Sequence, residues 1–167
     1  DQSWIKVPDY KARAFWDQLP TDLRQAYIKD AEGYLDYSWP AVTATDYLEF
    51  VRSGDRRQEV FGACNGALIA LVMGELVEGR GRFLDQIING AWFFCEQTWW
   101  GWSAHLYYQK AGSGLPDVDD LTVDLGVSEV ASNLSWTCQL FKEEFDRVHP
   151  LIARRIKQEV FRGALDP

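Results

Sequence analysis

The sequence predicts an all-α protein, and three observations carry that prediction. Apolar residues recur at helical spacing in two stretches, at Phe61, Cys64, Leu68, Leu71, Val72 and Leu76, and at Val127, Val130, Ala131, Leu134, Cys138, Phe141 and Phe145. No run alternates apolar and polar residues over the length of a strand. Pro8, Pro20 and Pro150 stand where helices can start, and Gly54 and Gly79 where they can stop.

Taken in order, Pro8 sits in the first turn of a helix predicted over about 8–18, and Pro20 opens a second over about 20–36. Trp39-Pro40 breaks the pattern, because the residue before a proline is pushed out of the α region. Thr43 or Thr45 caps a short helix that ends near Arg52, with Ser53-Gly54 as its stop. The helix from Phe61 runs to Gly79 and carries a second stripe of small residues, Ala63, Ala67, Ala70 and Gly74. It is apolar on two faces and is expected between layers, with a neighbouring helix close against the small stripe.

Arg82 to Glu96 continues as helix through Phe83, Ile87, Ala91, Phe94 and Cys95. Trp99-Trp100-Gly101-Trp102 reads as a loop or helix end, and Ala111 to Asp120 as a Gly/Pro/Asp loop. Asp124 caps a long helix reaching Phe145, and Pro150 begins a final one with Ile152, Ile156 and Val160. Residues 1–167 are expected to form one domain of antiparallel helical hairpins, with one layer apolar on both sides. A barrel of such hairpins, part of an (α/α) toroid, is one solution; an irregular helical bundle is the other.

The balance of 17 basic against 25 acidic residues gives a net charge of −8. That argues against nucleic-acid and anionic-membrane partners, since neither phosphates nor anionic headgroups attract an acidic chain, and it leaves room for a local basic pocket. The longest apolar run, Ala67 to Gly74, is too short to span a bilayer. The chain begins at Asp1, which suggests a processed secreted protein or a trimmed piece of something longer.

Cys64, Cys95 and Cys138 are far apart with no C-x-x-C pair, and there are two histidines, so no metal site is expected. No G-x-S-x-G, P-loop or dinucleotide-type glycine pattern occurs, and no cofactor is expected. Asp117, Asp119 and Asp120 lack the spacing of a calcium loop. Arg80 and Arg82 read as a solvated helix end partnered by Glu78, and the sequon at Asn133 falls within a predicted helix.

Aromatic residues make up 14% of the chain, including eight tryptophans. They concentrate between Asn89 and Leu106, where Trp92, Trp99, Trp100 and Trp102 accompany Asn89, Glu96 and His105. A flat indole packs on the C–H face of a pyranose, and nearby amide, carboxylate and imidazole groups bond its hydroxyls. Asn89, Glu96, Trp99, Trp100, Trp102 and His105 are therefore candidate substrate-binding residues. His105 is also the candidate proton acceptor, because an imidazole titrates near neutrality. The competing reading has these indoles filling the space between helix ends.

Several of these segments resemble the heparinase II/III-like family. They are Tyr37-Ser-Trp-Pro-Ala-Val-Thr-Ala-Thr-Asp-Tyr-Leu-Glu-Phe, Gly81-Arg-Phe-Leu-Asp-Gln-Ile-Ile-Asn-Gly-Ala-Trp, Cys95-Glu, Ser103-Ala-His-Leu, Gly114-Leu-Pro-Asp and Asp124-Leu-Gly-Val-Ser-Glu-Val-Ala. The resemblance spans nearly the whole chain. It implies a secreted or periplasmic polysaccharide lyase that cleaves uronic-acid-containing chains, glycosaminoglycans among them, by β-elimination. It also implies an N-terminal (α/α) toroid followed by β-sandwich domains, of which this chain is the front part of the toroid. One group neutralises the C5 carboxylate, a base takes the C5 proton, and an acid protonates the leaving oxygen. The family's catalytic Asn, Tyr and His come largely from later segments, so the resemblance carries no catalytic residue onto this chain; His105, Glu96 and the tryptophans come over as groove residues. The expected partner is an acidic polysaccharide. The alternative is a non-catalytic helical module that binds carbohydrate or packs against a partner domain.

Overall fold

The computed structural model describes residues 7–56 and 60–167, and among them the regular structure is helical, with no strand. The elements are α1 (Arg13–Trp16), α2 (Thr21–Glu32), α3 (Ala44–Ser53), α4 (Phe61–Glu78), α5 (Leu84–Cys95), a 3-10 helix (Ser103–Tyr108), α6 (Leu125–Leu140), α7 (Lys142–Val148), α8 (Leu151–Val160) and a closing π-helical turn (Phe161–Leu165).

Most boundaries follow local chemistry. The Asp46 carboxylate accepts from the Thr43 N–H and hydroxyl, both at 2.7 Å, and so caps α3. Asp124 caps α6 by accepting from the Val127 N–H at 2.8 Å. Gly54 and Gly79 end α3 and α4 in the left-handed conformation, with φ of 79° and 69°.

Three expected helices are shorter than their sequence pattern. The first shrinks to the single turn α1. The Asp9 carboxylate accepts from the Lys11 N–H at 3.0 Å and its carbonyl from the Trp16 indole at 2.7 Å, which fixes a turn before the helix. α2 stops at Glu32 rather than near residue 36, where turns lead into a run of packed rings. Tyr34, Tyr37, Trp39 and Phe93 contact one another in sequence at centroid distances of 5.6, 4.9 and 5.6 Å. The long helix from Asp124 breaks at Phe141, where ψ rises to 17°, and restarts as α7. The break frees the Leu140 carbonyl to accept from the Tyr10 N–H at 3.1 Å, while Phe141 stays buried 5.2 Å from the Tyr10 ring.

α4 is the centre of the fold. It packs against α2, α5 and α6, and α8 in turn packs against α5 and α6. By length and composition α4 is apolar enough to cross a membrane, but 67% of it is buried against these helices, which accounts for its composition. The small stripe does what its spacing predicts at Gly74. A Cβ there would overlap the Cβ of Ala31, so α2 approaches α4 at backbone range. The largest fully buried side chains include Phe83, Phe94, Phe141, Phe145 and Leu68. The three cysteines are buried and unpaired, and burial pushes the Cys95 thiol up to about 12, so they pack as small apolar groups.

A buried carboxylate joins three segments. Glu75, at 0% exposure, accepts from the Tyr10 hydroxyl at 2.8 Å and the Gly81 N–H at 2.5 Å through Oε1, and from the Phe83 N–H at 3.0 Å through Oε2. The N-terminal segment, the end of α4 and the entry to α5 thus meet on one side chain.

Candidate functional site

The aromatic segment after α5 is held to the start of α6 by its own polar atoms. The Trp99 indole N–H donates to the Thr122 carbonyl at 2.6 Å, and the Trp100 indole N–H to the Phe94 carbonyl at 2.8 Å. Both indoles are buried, at 2% and 3% exposure. This corrects the expectation that Trp99 and Trp100 line a groove. With apolar rings inside and N–H groups paired to carbonyls, they are core residues that anchor the segment. Gly126 lets the segment come close, since a Cβ there would lie 3.0 Å from the Trp100 carbonyl.

What the anchoring presents to solvent is a different set. Trp102 remains 40% exposed. Its backbone N–H donates to Asp124 Oδ2 at 2.9 Å, and the same oxygen lies 2.8 Å from His105 Nδ1. Asp124 Oδ1 is taken by the α6 cap, and the carboxylate is 7% exposed. A carboxylate oxygen accepts, so Nδ1 is the imidazole nitrogen that donates to Asp124. Among the described residues Nε2 has no hydrogen-bond partner. The imidazole side chain is 28% exposed and lies on a depression walled by Tyr108, Thr122, Val123, Leu125 and Ser128. Ser128 is not a nucleophile aimed at this imidazole, because its hydroxyl donates back to the Asp124 carbonyl at 2.8 Å.

The 3-10 helix continues the aromatic surface. The Trp102 and His105 rings are 5.4 Å apart, His105 and Tyr108 6.5 Å, and Tyr107 and Tyr108 4.1 Å. A hydrogen bond with Tyr108 raises the Tyr107 pKa above the ordinary phenol value, so Tyr107 is not a proton acceptor near neutrality.

Asn89 and Glu96 belong to a separate surface. Together with Trp92, which is 39% exposed, they lie on the outer side of α5. Glu96 lies 3.5 Å from Arg155, whose guanidinium sits 5.7 Å over the Trp92 ring. The six residues singled out in the sequence therefore divide between two surfaces and the core. His149 Nδ1 accepts from the Leu151 N–H before the start of α8, and His149 takes no part in either surface.

Sequence reasoning read Asp124 as a helix cap and missed its second role. The pairing with His105 bridges 19 residues, and nothing local signals it. The W-x-x-H-x-x-Y spacing of Trp102, His105 and Tyr108 was visible, since a 3-10 helix brings every third residue into line.

A further concavity between α6 and α8, with Trp136, Ile156, Val160 and Phe161 among its walls, is largely apolar and holds no carboxylate–imidazole pair. Among the described residues no group of His, Cys, Asp and Glu is arranged to hold a metal ion. No family model matches the chain, and no curated protein matches it.

Proposed function

We propose that this chain is the glycan-binding helical part of a polysaccharide lyase of the heparinase II/III-like kind, acting on uronic-acid-containing chains by β-elimination. The observation that carries the reading is an imidazole held by a buried carboxylate beside the exposed Trp102 ring. The indole offers a flat face to a sugar, and the Asp124-held imidazole lies beside it with Nε2 unpaired among the described residues. In this reading His105 contacts the ligand and is the residue of this chain suited to accept a proton. In this reading the helices are the front of an (α/α) toroid, and the remaining toroid and β-sandwich domains belong to the parent enzyme. A secreted or periplasmic location follows from an extracellular polymeric substrate.

β-Elimination needs a carboxylate neutraliser, a base and an acid at one carbon centre. Among the described residues no arginine, lysine or asparagine lines the His105 depression, so the neutraliser is not among its walls. We therefore expect this chain alone to bind oligouronates but to release little or no unsaturated product. The measurement is Trp fluorescence on titration with alginate and heparin oligosaccharides, followed by ultraviolet detection of the unsaturated uronate. Binding abolished by Trp102→Ala or His105→Ala supports the reading. Unchanged emission with both glycans refutes it, and robust His105-dependent turnover by this chain would show the catalytic set to be complete.

The second reading, a non-catalytic module that binds carbohydrate or packs on a partner domain, is favoured by the burial of Trp99 and Trp100. It predicts that Trp102→Ala weakens binding while no condition yields unsaturated product, even with the parent enzyme's remaining domains attached.

A further inference from the structure

The exposed rings of the 3-10 helix form a row. Trp102 precedes the helix, and His105 and Tyr108 follow at intervals of three residues. A 3-10 helix has three residues per turn and rises about 2 Å per residue, so such side chains stack above one another about 6 Å apart. The observed ring separations, 5.4 and 6.5 Å, fit that geometry. Tyr107 then lies against Tyr108 at 4.1 Å, which widens the far end of the row.

The ends of the row differ from its middle. His105 is the least exposed of the four and is held by Asp124. Trp102 is 40% exposed, Tyr107 56% and Tyr108 67%. Large aromatic surface left this open, on a helix of six residues, is more than the core requires, because Trp99, Trp100 and Leu106 already fill the interior beneath it. The order is thus platform, proton acceptor, platform.

Building on the glycan-binding reading above, we propose that Tyr108, backed by Tyr107, is a second sugar-stacking subsite on the opposite side of His105 from Trp102. An oligouronate then lies along the 3-10 helix with two non-adjacent sugars on the two platforms and the units between them over the imidazole. Short ligands reach one platform only, and longer ones reach both. The surface is consequently selective for chain length, and Tyr108 sets that selectivity.

The test is a length series. Di- and hexasaccharides prepared from alginate, and a matching pair from heparin, are titrated into the full chain, Trp102→Ala, Tyr108→Ala and Tyr107→Ala. For the wild type we expect the hexasaccharide to bind about tenfold more tightly than the disaccharide, the gain of one further stacked ring. Tyr108→Ala should remove that advantage and leave disaccharide affinity within about twofold, while Trp102→Ala should weaken both lengths. Tyr108 is mostly exposed, so its truncation leaves the fold intact, and a circular dichroism spectrum checks this. If Tyr108→Ala leaves hexasaccharide affinity unchanged while Trp102→Ala weakens it, the second subsite is overturned and the glycan-binding reading stands. If no oligosaccharide binds, or none of the substitutions alters binding, both are overturned.

Discussion

At the residue scale, four tryptophans near one turn have opposite roles, and the difference lies in where each indole N–H goes. Trp99 and Trp100 direct theirs to backbone carbonyls inside the fold, whereas the Trp102 and Trp92 rings stay partly exposed. Truncation should separate the two kinds. Trp100→Ala is expected to cost about 3–5 kcal/mol in urea denaturation, as for any large buried aromatic, while Trp102→Ala should change stability by no more than about 1 kcal/mol. Composition and clustering made the aromatic segment legible as important, but not which rings face inward, because that depends on the distant carbonyl of Thr122 and on Gly126. A second residue-scale consequence concerns alkali. Burial and then the bond to Glu75 push the Tyr10 hydroxyl up to about 12. The unfolded chain releases that proton near pH 10 and the folded chain does not, so the contribution is intact below about pH 10 and lost as pH rises towards 12. Urea midpoints measured across that interval should fall, and the fall should be shallower in Tyr10→Phe.

At the element scale, α4 shows what helical spacing can and cannot convey. Its apolar period and its glycine stop read correctly from the sequence, because each is a local property of one helix, while the small stripe holds at Gly74 and leaves Ala63 exposed. The first helix is shortened by its own Asp9, but at the other two departures a partner from elsewhere in the chain intervened. Tyr10 draws on the Leu140 carbonyl where the long helix breaks, and Phe93 receives Trp39 where α2 was expected to be drawing to a close. The small stripe makes a clean comparison. Gly74→Ala would drive a methyl into Ala31 and is expected to destabilise by about 1–3 kcal/mol. Gly66→Ala, on the same helix with nothing within 4 Å, should instead stabilise by about 0.5–1 kcal/mol through its helix propensity. Thermal or urea unfolding of the two variants decides the matter, and equal effects would contradict the close packing of α2 on α4.

At the scale of the whole molecule, the helical class was written in periodicity, but the arrangement that places His105 against Asp124 was not. It depends on the loop from Ala111 to Leu121, organised around the buried Gln109. That side chain donates to the Gly112 and Leu115 carbonyls at 2.7 and 2.6 Å and accepts from the Asp117 N–H at 2.9 Å. No helical or strand period describes such a loop, so its course from the 3-10 helix to Asp124 is apparent only in three dimensions. The Glu75 junction extends the same lesson to dynamics. Turns between helices ordinarily open by local fluctuation and trade their amide protons with solvent early. The Gly81 and Phe83 amides lie in such a turn, yet both end on a carboxylate sealed from water that also holds the N-terminal segment. They can be released only when α4 separates from its neighbours. In deuterium oxide, these two amides should therefore exchange as slowly as those in the middle of α4, marking the turn as part of the last unit to come apart; rapid labelling there would show the junction to be dispensable.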